Sequence, residues 1–292
     1  MDRIKILVPT DFSACAHNAL DYAIGLASEM DAEIIIMHSI VYNDTSFISA
    51  ASKEEENTRR YNSAKESIDK ELSYIKSKNP NLEARSELDA ENAELAITTI
   101  VDHEKINYIV MGTEGASDLK SAIFGSFTNS VLLISSIPVF TIPVTASYKG
   151  FKYMVCTTEM DESEKASIKE IIKLAEEKDS LLVFYNVNSD EDEQRTKFTK
   201  FQKYIKSLTN HPLIDYVVVE SSDILESIEG YVCEKNPDLV VTLGKERSLF
   251  DKMFGKRVTK QLCLHTSVPL LSFPAHYKLE KEAETPIRQR EV

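Results

Sequence analysis

The run Ser136-Ile137-Pro138-Val139-Phe140-Thr141-Ile142-Pro143 returns as Ser267-Val268-Pro269-Leu270-Leu271-Ser272-Phe273-Pro274. A short apolar stretch with Pro at both ends is hard to obtain twice by chance. It constrains the chain to a tandem duplication. Other echoes agree. Leu239 to Gly244 repeats Tyr108 to Gly112, Lys152 to Thr157 repeats Lys5 to Thr10, and Phe184 to Val187 repeats Met37 to Ile40, the last two at an offset of 147. That offset sets Thr158 opposite Asp11, Cys156 opposite Pro9, and Cys15 and Cys156 near equivalent places. The expected layout is a first domain over residues 1–146, a junction near Thr145 to Gly150, a second domain over 150–276, and a charged tail over 277–292.

Within the first half, apolar runs alternate with amphipathic stretches. Ile4 to Val8, Glu33 to Ile40, Leu82 to Leu88, Ile106 to Met111 and Pro138 to Ile142 read as strands. Ser13 to Glu29, residues 51–79, Glu91 to His103 and Ser126 to Ser135 carry helical spacing, with Ser13 as an N-cap. Strands separated by helices imply βαβ units and a mainly parallel sheet.

Composition narrows the function. The chain of 292 residues has a net charge of −13, most of it in residues 1–148, and this disfavours nucleic acid and anionic membranes as partners. Four widely spaced Cys suggest neither a disulfide framework nor a zinc site. No apolar stretch is long enough to span a bilayer, and the N-terminus enters a strand pattern without a signal peptide, so a cytoplasmic protein is expected. Only 8 Gly occur in the chain, yet Gly112, Gly115 and Gly125 share one short window.

That window follows a strand and opens a helix, where open parallel sheets bind ligands. Glycines let backbone N–H groups converge on phosphate oxygens, and the helix start at Gly125-Ser126 favours an anion. Ser126 and Thr128 can add hydroxyl donors. The window lacks the Lys of a P-loop and is not G-x-G-x-x-G. Its spacing also suits an ordinary βα loop with turn glycines. Asp11 is either a ligand contact or a carboxylate serving the start of a helix. His38, inside a strand, reads as a hydrogen-bonded core histidine, and His17 as a surface or packing residue. Cys15 and Cys156 read as small core residues.

Gly112-x2-Gly115-x9-Gly125-Ser126 resembles, position for position, the motif of ATP-binding universal stress proteins. Ile6 to Ser13 looks like that family's first strand and loop, and Met37-His38-Ser39-Ile40 like its second strand ending. The resemblance covers nearly all of residues 1–145; the second half shares only the strand pattern. It implies an α/β fold of two tandem Rossmann-like domains, each a five-stranded, mainly parallel sheet in the order 3-2-1-4-5, with adenosine between the ends of strands 1 and 4. Carried over, Pro9, Thr10 and Asp11 would line adenine and ribose, and Ser39 would present backbone to adenine. Met111 and Gly112 would flank the ribose and first phosphate, with Thr113 among the nucleotide-binding residues. Gly115, Gly125, Ser126 and Thr128 would hold the phosphates of ATP or another adenine nucleotide, with Mg or Mn bound through them and Phe127 also among the nucleotide-binding residues. The family's Gly-x-Pro before the third helix is replaced by Asp89-Ala90-Glu91-Asn92, so the loop over the ribose is expected to close differently.

In the second half, Arg247 replaces Gly115 and Lys256 replaces Ser126. The basic cluster Lys245, Arg247, Lys252, Lys256, Arg257 and Lys260 reads either as solvated charge or as an anion site. One nucleotide per chain is expected, in a stress-response regulator or sensor without efficient catalysis. The alternatives are a slow ATP hydrolase and a scaffold with vestigial nucleotide binding. The family dimerises through its last strand, which implies pairing of the two domains within one chain and a homodimer through other surfaces.

Overall fold

The structure is a computed structural model, and it describes residues 3–42, 49–90, 92–113, 125–188, 191–244, 268–275 and 277. The chain divides into two compact units, Met1–Gly150 with Cys263–Leu270, and Phe151–Leu262 with Leu271–Val292.

The first unit runs β1 (Lys5–Pro9), α1 (Ala14–Met30), β2 (Glu33–Ser39), α2 (Ala50–Lys78), β3 (Ala84–Asp89), α3 (Ala93–Glu104), β4 (Tyr108–Gly112), α4 (Ser126–Ile134) and β5 (Val139–Ile142). Its strands lie in the order β3-β2-β1-β4-β5, and all four neighbouring pairs are parallel. β1 and β4 are buried along nearly their whole length, as continuous apolar runs require when helices cover both faces of a sheet. α1 begins where the sequence places it: Ser13 Oγ accepts from the Ala16 N–H at 3.2 Å. Its Ala-rich face is buried against β4, β1 and β5. α2 buries only a narrow stripe, Ala64, Ile68 and Ile75, and leaves Tyr61 exposed.

The second unit runs β6 (Tyr153–Thr157), a 3₁₀ turn (Glu162–Glu164), α5 (Lys165–Lys178), β7 (Leu181–Asn188), α6 (Glu191–Leu208), β8 (Ile214–Glu220), α7 (Ile224–Lys235), β9 (Leu239–Leu243) and β10 (Leu270–Phe273). Its order, β8-β7-β6-β9-β10, repeats that of the first unit. Both units are Rossmann-like α/β modules.

The backbone corrects the offset between the repeats. Pro9 pairs with Met37, and Thr157 with Tyr185. The Thr10 N–H donates to the Met37 carbonyl (2.8 Å), and the Thr158 N–H to that of Tyr185 (3.0 Å). The shift is therefore one residue longer than the letters suggest. Thr158 stands where Thr10 stands, Glu159 where Asp11 stands, and Thr157 where Pro9 stands. Cys15 lies in the first turn of α1 and Cys156 inside β6, so both are buried but they are not equivalent. The glycines shift too. The Thr113 N–H donates to Ile142 and the Gly244 N–H to Phe273, so Leu243, not Gly244, is the counterpart of Gly112.

Candidate functional site

In the first unit the chain leaves β1 toward β2 on one side, while β4 flanks the other. The crevice beyond the carboxyl ends of the strands at such a reversal is where open α/β sheets take ligands. A cavity of about 230 Å³ lies there. Pro9, Thr10 and Asp11 form one wall, with Met37, His38 and Ser39 from β2. Met111 and Gly112 end β4 beneath it, Gly125 to Thr128 supply the start of α4, and Ala93 adds the start of α3.

The β1–α1 loop is held by its own side chains. The Phe12 N–H donates to Thr10 Oγ1 (3.0 Å), and the Ser13 N–H to Asp11 Oδ1 (3.0 Å). Phe12 takes the left-handed conformation, φ 62°. Asp11 thus serves the loop that leads into α1 and lines the cavity at once. The Thr10 hydroxyl accepts from Phe12, and its own hydrogen has no acceptor among the described residues.

His38 differs from its sequence expectation. It is hydrogen-bonded, as a core histidine would be: Nδ1 donates to the Thr10 carbonyl at 2.8 Å. A carbonyl only accepts, so Nδ1 carries the hydrogen. Yet the ring is only half-buried, lies 4.5 Å from the Phe12 ring, and forms part of the cavity wall. His17 packs on Tyr74 and meets the Glu71 carboxylate at 3.2 Å, away from the cavity.

The glycine window has a packing reason before any ligand is considered. A Cβ on Gly112 would lie 2.7 Å from Cys15 Sγ and 3.0 Å from the Cys15 backbone. Gly112 therefore lets α1 pass close over the end of β4. Thr113 is buried behind the site, with its hydroxyl 3.9 Å from Cys15 Sγ, and does not line the cavity. The Thr128 hydroxyl, expected as a phosphate donor, spends its hydrogen on the Gly112 carbonyl (3.0 Å) and ties the first turn of α4 to the end of β4. α4 begins after Gly125 with no side chain among the described residues capping it, and its first N–H groups and positive dipole end lie at the cavity. Gly115 lies outside the described residues, as do Glu91 of the loop before α3 and the whole basic cluster of residues 245–260. Asn92 caps α3, accepting from the Glu94 N–H at 2.9 Å.

The same loop in the second unit is closed internally. Met160 repeats the left-handed turn at φ 59°, and its N–H donates to Thr158 Oγ1 (2.9 Å). The Thr158 hydroxyl then donates to Glu164 Oε2 (2.6 Å), and the N–H groups of Glu159 and Asp161 donate to the same carboxylate at 2.9 and 3.2 Å. Burial pushes the Glu164 carboxyl above its ordinary value, against the pull of these donors. At the corrected offset Ala16 occupies the place of Glu164, so the first unit has no such carboxylate.

Among the described residues no cluster of three His, Cys, Asp or Glu could hold a metal ion, and no helix is long and apolar enough to cross a membrane.

The model of the universal stress protein family matches residues 3–143. The universal stress protein YxiE of Bacillus subtilis (strain 168) is 31% identical over 154 residues, covering 47% of this chain and 97% of the relative. A crystal structure of a universal stress protein from Archaeoglobus fulgidus DSM 4304 aligns over 93% of this chain and 98% of its own, with a TM-score of 0.71 at 16% identity. The cytoplasmic domain of a prokaryotic cation chloride cotransporter aligns over 95% and 98%, with a TM-score of 0.55 at 9% identity. At such identities the structural likeness speaks for the fold, and the fold alone does not fix function.

Proposed function

The chain belongs to the universal stress protein family, and we propose that the cavity of its first unit binds one adenine nucleotide, ATP by preference, as the signal of a stress-response regulator. The observation that carries this reading is the pairing of two unlike ends in one cavity. Pro9, Met37 and Met111 offer an apolar wall for a flat base, and the uncapped start of α4 offers N–H donors and a positive dipole end for phosphate. Ser126 adds a hydroxyl there. Magnesium or manganese would ride on the phosphates rather than on a protein cage. The size, about 230 Å³, is close to the lower end of ligand pockets, roughly 300 Å³.

Regulation rather than turnover is proposed because the window carries no P-loop lysine. Efficient phosphoryl transfer calls for a positioned base and a charge clamp. Calorimetric titration with ATP tests the site: one site per chain supports the reading, and two equivalent sites or none overturn it. A steady-state rate near the enzyme median of about 10 per second would move the protein to the enzymes. Pairing of the last strands of the two units, and a homodimer through other surfaces, belong to the same proposal; their basis is the Pro-bounded apolar run at Val139 to Ile142 and its copy at Leu270 to Phe273.

A further inference from the structure

One hydrogen bond recurs in both units although the residue that makes it has changed. Backbone pairing of β1 with β2 stops at Pro9 and Met37. Just beyond, the Thr10 carbonyl accepts from His38 Nδ1 at 2.8 Å. In the second unit, pairing of β6 runs to Thr157 and Tyr185, and the Thr158 carbonyl accepts from Asn186 Nδ2 at 2.7 Å. At the corrected offset His38 and Asn186 are the same position, as are Thr10 and Thr158. Imidazole and carboxamide share little except a planar N–H donor at similar reach. The left-handed turn that follows, at Phe12 and Met160, is also kept, and so is its N–H bond to the preceding threonine hydroxyl.

We propose that His38 is a positioning residue of the nucleotide site: it clamps the Thr10 carbonyl, fixes the turn at Phe12, and so sets the Thr10 hydroxyl and the Asp11 carboxylate at the cavity wall. What the position requires is a side-chain N–H donor, which asparagine can supply. The inference rests on the nucleotide reading for its ligand, but the clamp itself is a property of the loop. Without a donor, the half-buried carbonyl loses its partner and the turn loosens. The second unit makes the same bond in a loop closed by its own Glu164 carboxylate, and so provides an internal control.

The experiment compares His38→Leu, His38→Asn and Asn186→Leu in the full chain. ATP affinity is read by calorimetry and amide protection at Phe12 and Ser13 by hydrogen exchange. His38→Leu is expected to weaken ATP about tenfold, equivalent to roughly 1.4 kcal/mol, and to speed exchange at both amides. His38→Asn should stay within about threefold of the parent affinity, on the scale of a hydrogen bond kept, and keep the protection. Asn186→Leu should loosen its own loop and leave ATP affinity unchanged. A purely structural role would make His38→Leu and Asn186→Leu alike in their effect on binding. If His38→Asn binds as poorly as His38→Leu, the imidazole itself is needed and the proposal is overturned; it is equally overturned if His38→Leu binds and exchanges like the parent. If the parent does not bind ATP, the nucleotide reading fails on that result alone. The exchange arm then still decides the clamp: protection lost in His38→Leu and kept in His38→Asn supports it, and any other pattern overturns it.

Discussion

Gly112 and Cys15 touch through space that only hydrogen can fill. A Cβ at Gly112 would sit 2.7 Å from the Cys15 sulfur and 3.0 Å from its carbonyl carbon and oxygen, so the end of β4 and the first turn of α1 are locked together by the lack of a side chain. Gly112→Ala should destabilise the first unit by about 1–3 kcal/mol, the range of overpacked cores, and weaken ATP. Adding Cys15→Ala removes the sulfur contact but not the backbone ones, so rescue should be partial. Urea unfolding of the single and double variants measures this; full rescue would show that only the sulfur matters.

The end of the first unit is docked by a comparable contact. A Cβ at Gly25 would lie 2.6 Å from the Tyr148 ring, whose hydroxyl donates to Glu29 at 2.5 Å. Burial and that carboxylate raise the Tyr148 phenol above its ordinary value. Gly25→Ala gains about 1 kcal/mol of helix propensity but must displace the ring at about 1–3 kcal/mol. A net loss is expected, visible as a lowered thermal midpoint and altered tyrosine absorbance.

Thr128→Val keeps shape and removes the donor to the Gly112 carbonyl. A buried carbonyl left without a partner costs about 1–3 kcal/mol. The variant should lose stability and ATP affinity together, because the same bond seats the start of α4. Unchanged affinity in a destabilised protein would separate the two.

Glu164 gives a pH dependence with a defined sign. Burial raises its carboxyl above the unfolded value, so the folded state holds the proton more readily. Its contribution to stability is fully present below the ordinary carboxylate value, about 4.3, and is lost as pH rises through the raised value. The parent should therefore lose stability with rising pH more steeply than Glu164→Gln. Equal slopes in urea unfolding at pH 5 and pH 8 would contradict the assignment.

Residues 1–147 expressed alone test the proposed strand pairing. The Bacillus relative is matched over 97% of its own length by about half of this chain, so a single unit is a workable protein size. Light scattering should find the fragment self-associated; a folded, ATP-binding monomer would exclude the last strand as the pairing surface.

Much of this was legible in the residues. Strands and the helix start at Ser13 fell within a residue or two of their expected places, because apolar runs and a capping serine encode them locally. Pro9 to Asp11, Ser39, Met111, Gly112 and Gly125 to Thr128 do meet in one cavity. The register of the repeat was misread because Thr157 and Thr158 are adjacent threonines and either can be matched to Thr10; only ladder hydrogen bonds choose between them. Gly112 was read for phosphate approach, whereas its nearest demand is a helix passing over it, a contact across 97 positions of chain that no local pattern carries. Met37, Ala93 and His38 were missed as cavity walls. The position of His38 beside Ser39, at the carboxyl end of β2, is the signal that could have placed it at the crevice.

The carboxylate of Glu164 has a consequence for how the two halves respond to their surroundings. A loop that supplies its own acceptor gains little from an outside one, so the second unit answers to the protonation of Glu164 rather than to a ligand. The first unit has Ala16 at that position, and a bound ligand would add stability by mass action, about 2.7 kcal/mol at a hundredfold excess over Kd. One chain would then carry a gauge and its reference, a half that reads the metabolic state of its surroundings beside a half that is indifferent to it.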